Sequence, residues 1–256
     1  MKRISAIVLV ILLTLTFAGC EVKINSESET PDSPVVEVTE NNTEVPTEPV
    51  TQPPTEPEVK EKVLTLTDEE QYIINIFLSN FSEQHFPSYD SSNVSDDTLV
   101  QFAYLHNVIN NYDALEIDHN TYDASFTLDT INTTLDRYLG KSISPEEGDT
   151  FATHYRYSSG RIYCPMASGA SHGIMTVVDT LTDLGDGTLR ADFVVYSIDE
   201  LNTGGNIITD KSVYYYTKED VENNAQFIYE YEGNAILKRK NYAGVNTYEL
   251  ITYSYR

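Results

Sequence analysis

Residues 21–62 cannot build a core, and this decides where the chain is able to fold. The segment holds seven of the ten prolines, eleven acidic residues against three lysines, and no Tyr, Phe, Leu or Gly. Low hydrophobicity combined with a net charge of −8 does not offset the entropy lost on ordering. Thr47-Glu48-Pro49 recurs as Thr55-Glu56-Pro57, a pattern that favours extended, polyproline-like backbone. The segment therefore predicts a disordered stalk, reaching roughly 120 Å at ~3 Å per residue. Folding is left to residues 63–256, enough chain for one domain with a substantial core.

The amino terminus has a different character. Met1-Lys2-Arg3 is basic, Ile4 to Phe17 is mostly apolar, and Ala18-Gly19 leads into Cys20. The apolar run is shorter than the ~18–20 residues a spanning helix needs. It resembles a bacterial lipoprotein signal, with Phe17-Ala18-Gly19-Cys20 as the lipobox and Phe17 where that family usually has Leu. The resemblance implies cleavage before Cys20 and a diacylglycerol on its thiol. It implies a protein held to the extracytoplasmic face of a bacterial cell membrane by lipid. The expected organisation is a signal over residues 1–19, lipidated Cys20 and stalk over 20–62, and one domain over 63–256.

Charge narrows the partners. Of the net −24, the signal contributes +2 and the stalk −8, which leaves −18 on residues 63–256. Such a surface repels phosphate, so nucleic acid is not an expected partner. Only two cysteines occur, and with Cys20 lipidated Cys164 has no intrachain partner. The domain must then rely on its core rather than on disulfides.

The first half of the domain has helical periodicity. Thr67-Asp68-Glu69-Glu70 matches a capping box, and Tyr72, Ile73, Ile76 and Phe77 follow on one face. This helix should end near Phe81. Ser95, with Asp96 and Asp97 behind it, caps a second helix that carries Leu99, Phe102, Ala103, His106 and Ile109 inward. A third is predicted from Thr127 to Leu139, with Ile131, Leu135, Tyr138 and Leu139 inward and Gly140 as a left-handed cap.

From Phe151 the period changes to two. Residues 151–158, 161–164, 174–183 and 188–198 are predicted strands, the last two joined through Gly185-Asp186-Gly187. A tyrosine-rich strand is expected over 211–217. A final meander over 226–231, 235–240 and 247–255 would turn at Glu232-Gly233-Asn234 and at Tyr242-Ala243-Gly244. The expected fold class is α+β, with about three N-terminal helices on one face of a C-terminal antiparallel sheet of six to seven strands. This order is similar to cystatin-like cone folds. Asp129-Thr130-Ile131-Asn132, Tyr138-Leu139-Gly140-Lys141 and Thr247-Tyr248-Glu249-Leu250-Ile251 also resemble segments of uncharacterised lipoproteins from low-GC Gram-positive bacteria. That resemblance implies no activity.

No pattern of residues specifies catalysis. Cys164 is followed by Pro165 in a strand, so neither His154 nor His172 is expected to serve it as a base. His85, His106, His119, His154 and His172 lack metal-type spacing, and Asp183-Leu184-Gly185-Asp186-Gly187-Thr188 lacks the alternating ligands of a calcium loop. No catalytic residue, metal or cofactor is therefore expected. A connector over 199–210, with Gly204-Gly205, is long enough to gate a site but is read as surface loop. The unusual feature is tyrosine, 19 residues with no Trp. Tyr229, Tyr231, Tyr253 and Tyr255 share strand parity and are the candidate ligand-binding residues, as an aromatic face for a glycan or a protein. The expected function is non-catalytic binding of an envelope ligand or protein partner. The alternative is an extracytoplasmic hydrolase with its catalytic groups dispersed in sequence.

Overall fold

A computed structural model describes residues 60–165, 173–198 and 212–256. These lie in one compact unit, Thr55–Arg256. Residues 1–59 are outside the described residues, and with them the lipobox and nearly all of the predicted stalk, as are His172 and the 199–210 connector.

In chain order the elements are β1 (Lys62–Leu64), α1 (Asp68–Ser82), β2 (Tyr89–Asp90), α2 (Asp96–Asn110), β3 (Glu116–Ile117), β4 (Asp123–Thr127) and α3 (Leu128–Leu139). Then come β5 (Thr150–Phe151), β6 (Tyr155–Ser158), β7 (Arg161–Pro165), β8 (Ile174–Asp183) and β9 (Thr188–Ile198). The last are α4 (Lys218–Glu222), β10 (Phe227–Tyr242) and β11 (Val245–Tyr255). The class is α+β, but the strands form two antiparallel sheets rather than one. A six-stranded sheet has the order β1-β8-β9-β10-β11-β2, and a five-stranded sheet the order β3-β4-β7-β6-β5.

The three main helices start where their sequence signals place them. Thr67 and Glu70 cap each other reciprocally at α1. Ser95 and Thr127 accept from Thr98 N and Thr130 N at α2 and α3. Gly140 ends α3 at φ 60°. One apolar core joins all three helices to both sheets, with Phe77, Phe81, Phe102, Leu135, Ile162, Phe193 and Leu250 among its members.

Helix α1 does more than lie on a sheet face. Its polar stripe Gln71, Asn75, Ser79 and Ser82 is buried. Asn75 Oδ1 accepts from Val178 N at 2.8 Å, Gln71 Nε2 donates to Val178 O at 3.0 Å, and Ser79 Oγ accepts from Thr176 N at 2.9 Å. Strand β1 pairs only with residues 181–183 of β8, so α1 side chains serve the rest of that edge. Buried backbone groups must be partnered, and here a helix does it in place of a strand. The same helix packs Phe81 against Tyr253 of β11, ring centroids 6.0 Å apart. In a flat sheet β8 and β11 would stand about 14 Å apart; contact with both means that the sheet curls around α1.

Four predicted elements are corrected. Residues 232–234 are not a turn: β10 runs unbroken from Phe227 to Tyr242. Gly233 is glycine because a Cβ there would lie 2.3 Å from Ser254 O and 2.6 Å from Phe193 Cζ. The tyrosine run is not a strand, since Val213–Tyr215 is a 3-10 turn held by the Asn75 amide. Residues 151–158 are not one strand. Ala152 and Thr153 take φ 43° and 67°, and the chain folds back so that Phe151 pairs with Tyr155, both buried. The single sheet becomes two because the short strands β3 to β5 pair with β6 and β7 beside the helices.

Candidate functional site

The turn that does form at Ala243-Gly244 builds one side of a surface groove with charged walls. Tyr242 pairs with Val245, and φ values of 51° and 85° at the two loop residues make a type I′ hairpin. Asn241 Oδ1 accepts from Gly244 N at 3.1 Å, and Asn241 Nδ2 donates to Asn246 Oδ1 at 3.2 Å. The hairpin then faces the first turn of α1 across a groove of about 620 Å³.

Thr67, Glu69, Glu70 and Ile73 line the helix side of this groove. Arg239, Lys240, Asn241, Asn246, Thr247 and Tyr248 line the hairpin side. Tyr248 is buried and packs edge-on against Phe77, so it is a fixed wall. The Glu70 carboxyl is held below the usual range by the Thr67 backbone and hydroxyl, with Arg239 adding to the effect. Lys240 is committed elsewhere: its Nζ contacts the Asp136 carbonyl, Asp136 Oδ1 at 3.0 Å and Glu249 Oε2 at 3.6 Å. Both signs of charge, two amides and an aromatic wall suit a ligand that presents hydroxyls or amides.

The four candidate tyrosines do not form one face. Tyr229 pairs with Tyr196 and Tyr231 with Val195, so a β-bulge at Glu230 puts the two on opposite faces. Tyr229 is exposed on the side away from the three main helices. Tyr231 and Tyr255 stand together on the other side, centroids 5.1 Å apart. Tyr253 is 1 % exposed and stacks on Phe193 at 5.1 Å, in the core. Parity alone could not reveal this, because the extra bulge residue reverses it.

The remaining candidates are accounted for locally. His106 is buried against Tyr138 and Phe102, and burial, with Arg137 nearby, pulls its imidazole down to about 4. His85, His119 and His154 are exposed. The Cys164 thiol is raised by burial and by Asp123, and its phenolic neighbours are Tyr104 and Tyr155. In the 183–188 turn Asp183 accepts from Gly185 N, and Asp186 accepts from Thr188 N and Oγ1, so the turn uses both carboxylates itself. Among the described residues no three His, Cys, Asp or Glu side chains converge.

Residues 138–141 and 247–251 meet in space. Asn132 clamps the main chain of Ile143 through both amide atoms, at 3.0 and 2.9 Å. A Cβ on Gly140 would lie 2.6 Å from the Glu249 carboxyl, so the α3 cap and the final strand are fitted to each other. Sequence reasoning missed the groove, which is assembled from residues more than 160 positions apart with no local motif. No known protein family, curated protein or solved structure matches the chain.

Proposed function

We propose that this chain is a lipid-anchored protein of the bacterial envelope that binds a glycan or protein partner on the extracytoplasmic side, without catalysis. The groove between α1 and the β10–β11 hairpin carries the reading. It offers a charged pair, amides and a rigid tyrosine wall. The lipobox resemblance at Cys20 supports the location, and a stalk would let the groove reach beyond the bilayer. The curl of the six-stranded sheet around α1 supports the likeness to cystatin-like cones, with the five-stranded sheet as an addition.

The test uses the full chain with Cys20→Ala, which removes lipid partitioning, and isolated cell envelopes as the binding phase. Arg239→Ser and Asn246→Ser should each weaken retention by roughly tenfold, a typical cost of about 1.4 kcal/mol, with unfolding midpoints unchanged. Equal retention by the parent and both variants sinks the groove.

One observation favours the hydrolase alternative. The half-buried Glu83 carboxyl is pushed up to about 7, as a general acid would require. Turnover of envelope glycans or peptides that vanishes in Glu83→Gln would replace the binding reading.

A further inference from the structure

The face of the six-stranded sheet turned away from the three main helices buries a second, smaller apolar cluster. Met175 and Val177 of β8 and Val194 and Tyr196 of β9 lie under Tyr216 and Val221. The cover is residues 212–222, the 3-10 turn followed by α4. No strand pairing holds this cover. Its fastenings include side chains of α1 and an ion pair to β8. Asn75 Nδ2 donates to Tyr214 O at 2.9 Å and to Tyr216 O at 3.0 Å. Tyr72 stacks on Tyr215 with centroids 4.4 Å apart. The Tyr214 hydroxyl donates to Glu83 Oε1 at 3.3 Å, and Lys218 reaches Asp179 Oδ2 at 3.1 Å.

Glu83 is the weak fastening. It caps the C-terminus of α1, where the helix dipole disfavours negative charge. It is half-buried, and the groups facing it are phenols: Tyr214 from the cover, with Tyr72 beside it, and Tyr138 from α3. Among the described residues no cation forms an ion pair with it.

We propose that residues 212–222 form a strap that is released from the sheet as Glu83 ionises, exposing the cluster around Met175, Val177, Val194 and Tyr196. Docked, desolvation pushes the carboxyl to about 7; the Tyr214 hydrogen bond opposes this without cancelling it. Released, the group regains water and its value falls towards the ordinary 4.5. Docking is therefore strongest below pH 4.5, and this contribution is lost as pH rises through about 7. Release at neutral pH would present an apolar surface of the kind that marks interaction sites.

Hydrogen exchange of the full chain tests this, read at the Tyr215, Tyr216 and Val221 amides, which are bonded within the strap. After correction for intrinsic exchange, their protection should fall roughly tenfold or more between pH 5 and pH 8. The β9 and β10 core amides serve as the reference. In Glu83→Gln, which mimics the neutral acid, strap protection should not vary with pH. Tyr214→Phe removes the hydrogen bond that favours the ionised form, so its transition should move to higher pH. Strap protection that is flat with pH in the parent, or parallel in parent and Glu83→Gln, overturns the proposal. So does an unmoved midpoint in Tyr214→Phe, which decides the matter if the glutamine variant does not fold.

Discussion

At Gly233 the constraint is space rather than backbone freedom. Its missing Cβ is what lets Phe193 and the Ser254 carbonyl close over β10. Gly233→Ala should cost about 1–3 kcal/mol through overpacking, measured by denaturant unfolding; an unchanged midpoint would show that the ring gives way. His106 constrains the molecule through pH. Its folded-state value of about 4 lies below the ordinary 6.5, because burial disfavours the imidazolium. The unfolded chain takes up the proton first, so this stability is present above pH 6.5 and is lost as pH falls towards 4. Between pH 7 and pH 4.5 the loss should be roughly 2–3 kcal/mol. Glu83 acts in the opposite sense over the same range, so the readout is the difference between the parent and His106→Gln. If both unfold with the same pH slope, the histidine is not buried neutral.

At the scale of elements, α1 and β10 depart furthest from simple patterns. An amphipathic helix shows one apolar stripe, but α1 is buried on most of its circumference. Its second face, Gln71, Asn75, Ser79 and Ser82, partners the free edge of β8. The polar letters of that stripe look solvent-facing in a sequence window and are in fact buried and hydrogen-bonded. In β10 the bulge at Glu230 separates Tyr229 from Tyr231. Tyr253→Ser should accordingly cost about 3 kcal/mol or more, as core aromatics do. Tyr229→Ser should stay within about 0.5 kcal/mol, as exposed positions do. Thermal unfolding of the two variants compares them directly, and similar losses at both sites would contradict the two-face arrangement.

At the scale of the molecule, a domain with no described disulfide stands on one core shared by three helices and two sheets. The proposed membrane address is a separate matter and rests on the lipobox resemblance at Cys20. Cys20→Ala should release the protein from membranes or leave an uncut precursor, seen by fractionation and intact mass. Normal processing with full membrane retention would refute the anchor. What the sequence determined by itself was local. Helix starts at Thr67, Ser95 and Thr127, the Gly140 cap, the β8–β9 hairpin and the Ala243-Gly244 turn each depend on groups within a few residues, and short-range hydrogen bonds and φ preferences dictate them. Only the tertiary structure decided the rest. Gly233 is a strand residue because of Phe193, forty positions away, and the tyrosine run turns because of Asn75. The groove exists because the first helix and the last hairpin are brought face to face by the curl of the sheet. These outcomes depend on which distant atoms must share a volume or a hydrogen bond, and no sequence window contains both partners.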